Sequence, residues 1–381
     1  MALSAKTIRS RLALIKPLLS SCSLETIRKA QNKLGEMMEA AFRDQLVIRE
    51  HQFDNFSGAW MVPEDSRREG VILYLHGGGF TCGGLEYAKG FGSMLAAKTG
   101  TNVFCVAYRL SPETPFPGAL EDALTAYRYL LSKGYTPAHI TLCGESAGGG
   151  LCYSLCLRLQ EENLPLPAGI IAISPWVDLT ASGPSYEENR TADPSMTREV
   201  LDFFASCYTT QRENPMVSPL FAGLEGMPPS LIFVGGDEIM LSDAEQLHSR
   251  LLAAGVASHL VVAPERWHGY VLYGLKEDAP AFMEINAFLN RTMAKEQKLR
   301  WMRLDNAAKI YPAARNSRWT STFRLSATLR EPVDKAVMQS ALDVTARRFP
   351  SIATRLRKGV FWYYLQQIGR ASCRERVCEA V

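Results

Sequence analysis

The sequence predicts an α/β protein: an eight-stranded, mostly parallel sheet with an N-terminal helical cap, followed by a truncated α+β segment at the C-terminus. Three observations predict it. Short, continuously apolar runs recur between residues 71 and 262, separated by helical periodicity, the pattern of strands buried on both faces. The first 45 residues are helical in period before any strand signal begins. Beyond residue 295 both pattern and charge change. Residues 296–381 hold 17 Lys+Arg against 7 Asp+Glu, a net +10, which leaves −7 for residues 1–295 of a chain whose total is +3.

The elements follow in order. Ile8, Leu12, Ile15 and Leu19, then Leu24, Ile27, Leu34, Met37, Met38 and Ala41, mark two helices in residues 1–45, with Ser23 as N-cap of the second and Glu25 in its first turn. Two helices ahead of the first strand are expected to cap the active edge of the sheet. Residues 46–53 alternate as a half-buried strand and 58–62 as its hairpin partner. Apolar strands are expected at 71–75, 103–108, 140–143, 170–173, 231–234 and 259–262. Two antiparallel strands ahead of six mostly parallel ones form the α/β-hydrolase arrangement, assigned to residues 46–295. An insertion between Pro175 and Pro229, with one helix pattern at 197–208, is expected to shape a pocket over the carboxyl end of the sheet. A final helix is read at 281–289 and a charged linker at 296–300. Beyond it, 321–329 and 361–365 alternate like strands and 333–348 like a helix.

Composition narrows the class. A chain of 381 residues with 47% hydrophobic and 21% charged residues is ordinary for a globular protein. Its nine cysteines are scattered and odd in number, which reads as reduced thiols in a cytoplasm rather than a disulfide framework. Cys152 and Cys156 share a helix face, but no histidine is near them in sequence, so core packing is preferred to a metal site. No run reaches the roughly 18–20 apolar residues of a membrane span. The N-terminus lacks a cleavage site after its short apolar stretch. The basic charges of the C-terminal segment are dispersed through apolar stretches, a solvated face and not a nucleic-acid surface. Oligomeric state is left open, a homo-oligomer included.

The chemistry centres on Gly144-Glu145-Ser146-Ala147-Gly148, which follows an apolar strand and opens a helical pattern. A serine on a sharp strand–turn–helix junction gains nothing structurally, and the strain makes sense if Ser146 is a nucleophile. Acyl transfer also needs a base, a group to orient it, and donors for the oxyanion. Of six histidines, His268 follows the last expected strand in a loop suited to the base. His51, His139, His248 and His259 fall in or beside strand and helix patterns and read as structural. Asp237, the first carboxylate after the strand at 231–234, is the expected orienting acid, with Glu238 and Asp243 as competitors. Asp243, at the start of a helix pattern, is expected to serve instead as its N-cap. His76 precedes Gly77, Gly78 and Gly79 and is expected to hold that loop by hydrogen bonding. Gly78 and Gly79, with Ala147, are the expected oxyanion donors. No Lys-Ser/Thr follows the glycines, so a phosphate loop is excluded.

These blocks carry a resemblance. HGGGF at 76–80, YRLSPETPFPGALEDA at 108–123, GESAGGG at 144–150, SPWVDLT at 174–180, NPMVSPLF at 214–221, GGDEIMLSD at 235–243 and WHGY at 267–270 are similar to those of the hormone-sensitive-lipase-type family of α/β hydrolases, bacterial carboxylesterases above all. The resemblance implies an ester hydrolase acting on small-molecule esters of short-to-medium acyl length, without cofactor or metal. It also implies that the first acid of the GGDEIMLSD block is the triad acid, in agreement with Asp237. Glu145 departs from the commoner Asp before the serine, a change expected to tune loop packing and not the reaction. Residues 301–367 resemble the truncated start of a condensation-type alcohol acyltransferase, whose working histidine has no counterpart after His268. Residues 368–378 resemble one reading frame of a sequencing-library adapter, so 368–381 are expected to be artefactual and the natural gene to continue. Two rival functions remain: a hydrolase-fold ligand-binding module without turnover, and a bifunctional acyl-transfer enzyme in the full-length protein.

Overall fold

The computed structural model describes residues 4–19, 22–66, 68–293, 301–303, 354–358 and 363–367. The chain divides into two units, Met1–Lys295 and Glu296–Val381.

In the first unit an eight-stranded sheet runs in the order β1-β2-β4-β3-β5-β6-β7-β8. The strands are β1 (Leu46–Gln52), β2 (Ser57–Pro63), β3 (Val71–Leu75), β4 (Asn102–Ala107), β5 (Ile140–Glu145), β6 (Gly169–Ile173), β7 (Ser230–Gly235) and β8 (Ser258–Ala263). β2 is antiparallel to both β1 and β4, and every later pairing is parallel. Alternation along β3 divides the core in two. Val71, Leu73 and Leu75 face the side covered by α4 (Gly118–Ser132), α5 (Ala147–Glu161) and α8 (Leu241–Ala253). Ile72 and Tyr74 face α3 (Leu85–Thr99) and α9 (Ala279–Thr292). Parallel strands buried on both faces account for the unbroken apolar runs in the sequence.

Two helices precede the sheet, α1 (Ala5–Leu19) and α2 (Leu24–Ala40). Ser23 caps α2, its Oγ accepting from Thr26 N at 3.2 Å. α2 packs on α3 almost backbone to backbone, because Gly35 lies against α3: a Cβ there would fall 2.1 Å from the carbonyl oxygen of Glu86. A glycine inside a helix is unfavourable by roughly 0.5–1 kcal/mol relative to alanine, so its presence at this crossing reflects the close approach. Between β6 and β7 the chain forms α6 (Ser185–Glu188) and α7 (Arg198–Tyr208), the latter capped by Thr197, whose Oγ1 accepts from Val200 N at 3.3 Å.

The second unit contributes β9 (Trp301–Arg303), β10 (Thr354–Lys358) and β11 (Tyr363–Gln367), an antiparallel sheet in the order β10-β11-β9. The strand expected at 321–329, the helix at 333–348, the linker at 296–300 and the tail at 368–381 lie outside the described residues. Among the described residues no helix is long and apolar enough to cross a membrane.

Gly35→Ala should force α2 away from α3, as over-packing of a close contact does, at about 1–3 kcal/mol. Urea unfolding of the variant against the parent checks this; an unchanged midpoint would mean the helices part freely.

Candidate active site

β5 ends at Glu145 and α5 begins at Ala147, leaving Ser146 alone in the turn. Its backbone sits at φ 54°, ψ −124°, a region that costs a non-glycine residue of order 1–3 kcal/mol. The surroundings hold it there: Ser146 N donates to Ile173 O at 2.9 Å, and Ser146 O accepts from Trp176 N at 2.9 Å.

Ser146 and His268 line one cavity of about 660 Å³, together with Gly77, Gly78 and Gly79. The walls are largely apolar. α1 supplies Ile8, α2 supplies Ile27, Leu34 and Met38, and α7 supplies Val200, Leu201 and Phe204. Tyr87 and Phe91 of α3 and Leu272 to Leu275 beyond the histidine complete them. Both the helices ahead of the sheet and the insertion after β6 therefore border the serine.

The expected acid is corrected by the structure. His268 Nδ1 lies 2.8 Å from Glu238 Oε2, not beside Asp237. Past the end of β7 the chain turns, with Asp237 N donating to Arg266 O at 3.1 Å and Glu238 N to Gly235 O at 3.4 Å. That turn sends Asp237 outward, where its Oδ2 lies 2.7 Å from Arg9 Nη1 of α1. The fully buried Glu238 curls inward, and its Oε1 accepts from Ser174 Oγ at 2.8 Å and from Gly235 N. Ser174 Oγ also accepts from Gly269 N at 3.0 Å, so one hydroxyl ties Glu238 to the histidine loop. Asn189 of α6's C-terminal end donates to the carbonyls of Gly236 and Glu238 at 3.1 and 3.0 Å. Burial alone would push the His268 imidazole down, but the hydrogen bond and charge of Glu238 outweigh it and its pKa is raised.

Asp243 is not an N-cap either. It lies buried in the first turn of α8, and its Oδ2 accepts from Val177 N at 3.2 Å and Asp178 N at 3.1 Å. Burial and the neighbouring Asp178 drive its pKa well above the usual carboxylate range.

The glycine loop is braced from two sides. His76 stacks on Tyr108 at 4.2 Å between centroids, with Nδ1 2.7 Å from Gly77 O. Its burial lowers the imidazole to about 4, so the ring is neutral at pH 7. From the other side Glu145 Oε1 accepts from Gly77 N at 2.6 Å, and Oε2 from Tyr74 Oη at 2.6 Å. Burial pushes Glu145 up to about 7 against the hydrogen bonds from Tyr74, Gly77 and Tyr87 that favour its charge. Gly78 and Gly79 sit at φ 109° and 63°, conformations for which glycine is suited. A Cβ on Gly79 would meet the Phe204 ring at 2.2 Å. Among the described residues no group of His, Cys, Asp and Glu is placed to hold a metal.

Sequence reasoning missed Ser174 and the Tyr74–Glu145–Gly77 brace. Ser174, Gly77 and Glu145 lie in the quoted blocks and Tyr74 in the strand ahead of the first, but neither a hydroxyl nor a tyrosine in a strand announces a partner dozens of residues away.

Comparison with known proteins places the chain. Residues 72–272 match the α/β hydrolase fold family. An acetyl-hydrolase of Streptomyces hygroscopicus is 37% identical over 235 residues, covering 60% of this chain and 78% of that one. An esterase of Acinetobacter venetianus is 34% identical over 206 residues, 53% and 68% respectively. Among solved structures, an esterase from the bacterial hormone-sensitive lipase family aligns with a TM-score of 0.69 at 34% identity, over 77% of this chain and all of that chain. The chain belongs to the α/β-hydrolase family, in its branch of hormone-sensitive-lipase-type esterases.

The raised Glu145 pKa has a signed consequence. A carboxyl whose folded pKa lies near 7 and whose ordinary value is 4.5 contributes stability fully below pH 4.5, and that contribution is lost as pH rises through 7. Unfolding free energies at pH 5 and pH 8 should differ more for the parent than for Glu145→Gln, by on the order of 2–3 kcal/mol. Equal pH slopes would show that Glu145 ionises normally.

Proposed function

We propose that this chain is a serine carboxylesterase hydrolysing small-molecule esters of short-to-medium acyl length, with Ser146 as nucleophile, His268 as base and Glu238 as the acid that orients it. The observation that carries the reading is the 2.8 Å contact between Glu238 Oε2 and His268 Nδ1, beside a strained serine in the same cavity. Glu238 fixes the tautomer with the proton on Nδ1, which leaves Nε2 to take the Ser146 proton as Oγ attacks the ester carbonyl. The backbone N–H groups of Gly78, Gly79 and Ala147 stabilise the oxyanion. His268 then gives its proton to the leaving alcohol, and the same base activates water to release the acid from the acyl-enzyme. The chemistry needs neither cofactor nor metal.

The cavity supports the substrate class. Its largely apolar walls suit an acyl chain, and about 660 Å³ lies inside the usual 300–1,000 Å³ of small-molecule sites. That these relatives are an acetyl-hydrolase and an esterase supports ester cleavage. The seven described cysteines are all free thiols, in keeping with a cytoplasmic location.

A p-nitrophenyl ester series from acetate to palmitate tests the reading. Ser146→Ala should abolish turnover, and Glu238→Gln should lower kcat by about 10⁴ as loss of the orienting acid does in a serine protease triad. The acid limb of kcat/KM, set high in the parent by Glu238, should move to lower pH in Glu238→Gln. Folded protein without activity on any ester would leave the ligand-binding module as the better account.

A further inference from the structure

Three loops that must agree for the reaction meet at one guanidinium. Arg9 Nη1 lies 2.7 Å from Asp237 Oδ2 and donates to Glu265 O at 3.1 Å, while Nη2 donates to Ala192 O at 2.9 Å. Asp237 immediately precedes Glu238, and Glu265 lies three residues before His268. Ala192 precedes Asp193, whose carboxylate accepts from Ile239 N at 2.9 Å and from Ser195 N at 2.7 Å. Ser195 is itself part of the cavity wall. Two turns along α1, Lys16 Nζ donates to the carbonyls of Arg190 and Asp193 at 3.0 and 2.5 Å.

The chemistry of α1 fits a latch better than a simple cover. The helix carries four basic residues and no acidic one. Arg9 and Lys16, seven residues apart and so on one face, are both turned onto the loops, while Ile8 is buried and borders the cavity. A planar fork can hold the carboxylate and two carbonyls at once; a lysine ammonium is a point charge without that fixed geometry.

We infer that Arg9 is a positioning residue of the hydrolytic site: by joining the Glu238 turn, the His268 loop and the cavity wall, it makes seating of α1 and alignment of Glu238 with His268 a single event. The inference rests on the Ser146–His268–Glu238 reading above. Asp237 then has a definite task, as the docking point for the helix and not as the acid.

The test measures kcat, KM and unfolding midpoint for Arg9→Met, Arg9→Lys, Asp237→Asn and the Arg9→Met/Asp237→Asn double variant, on p-nitrophenyl acetate and octanoate. Arg9→Met should lower kcat roughly 10–100-fold on both esters, since a displacement near 1 Å in a reacting group costs about 10². Arg9→Lys should fall between it and the parent. The double variant should be no slower than Arg9→Met alone, because both changes remove one linkage. The pair is about one-third exposed on the arginine side, so raising NaCl from about 20 mM to about 1 M should slow the parent and leave Arg9→Met unaffected.

A rise in KM for octanoate at unchanged kcat would overturn the proposal and reduce α1 to an apolar wall. So would multiplicative losses in the double variant, or a kcat loss tracking a lowered unfolding midpoint. Should Arg9→Met fail to fold, Asp237→Asn and the parent's salt response decide: unchanged kcat in both overturns it. Glu238→Gln in the same assay keeps the two readings apart. If it retains kcat the triad assignment fails, whereas a large loss there with none in Arg9→Met sinks only the latch.

Discussion

The left-handed turn at Ser146 is the constraint on which the rest of the site depends. For α5 to start there, it must begin in contact with the neighbouring strands. A Cβ at Gly148 would lie 2.0 Å from Leu75 O, and one at Gly150 would lie 2.1 Å from Trp176 O. No side chain fits either place. The closeness that demands glycine also delivers the chemistry. β3 ends at Leu75, so the loop from His76 to Gly79 leaves the sheet directly alongside the serine turn. Glu145, the residue before the serine, can then reach across to the amide of Gly77 at 2.6 Å. Ser146 and the glycine loop are thus fixed relative to one another by a backbone contact and a buried carboxylate.

Much of this was legible in the sequence, for identifiable reasons. Strands buried on both faces leave unbroken apolar runs, so the eight strands and the direction change after the second could be read from period and order alone. The serine turn was legible because its glycines and its place between strand and helix are local. The acid was not. Asp237 and Glu238 are adjacent, and which one faces His268 depends on a turn whose hydrogen bonds run to Arg266 and Gly235. Counting residues past the strand favours the first carboxylate. The extra methylene of glutamate and the inward curl of the turn favour the second. Asp243 misled for a similar reason: a carboxylate in a first helical turn suggests a local cap, whereas its partners at Val177 and Asp178 lie 65 or so residues away.

The carboxylates near the site show how burial and donors sort one chemical group into several tasks. Glu238 is surrounded by donors: Ser174, Gly235 N and the histidine ring. Glu145 has donors too, and its burial carries it to about 7. Asp243 shares its burial with Asp178 and is driven well above the ordinary range. Asp237, on the rim, faces a guanidinium. A buried carboxylate is tolerated only when its lone pairs are met or it takes up a proton, and the site contains both solutions within two turns of chain.

The division between cavity wall and cavity floor follows from the same physics. The walls come from elements outside the central sheet, α1, α2 and α7, and present Ile8, Ile27, Leu34, Met38, Val200 and Phe204. The floor comes from strand ends and the loops after them, and carries Ser146, His268 and the glycine loop. Apolar walls displace water from the floor, and fixed dipoles act more strongly where water is excluded. The wall must therefore be seated for the floor to work at full strength, yet it must admit an ester between α1, α2 and α7. A helix fastened by one partly exposed ion pair and a few carbonyl contacts, with Ile8 buried beneath it and Ala5 and Leu12 packed alongside, meets both demands. Partly exposed pairs are individually worth about 1 kcal/mol or less, so the seating we infer for α1 rests on several weak contacts acting together and not on one strong one.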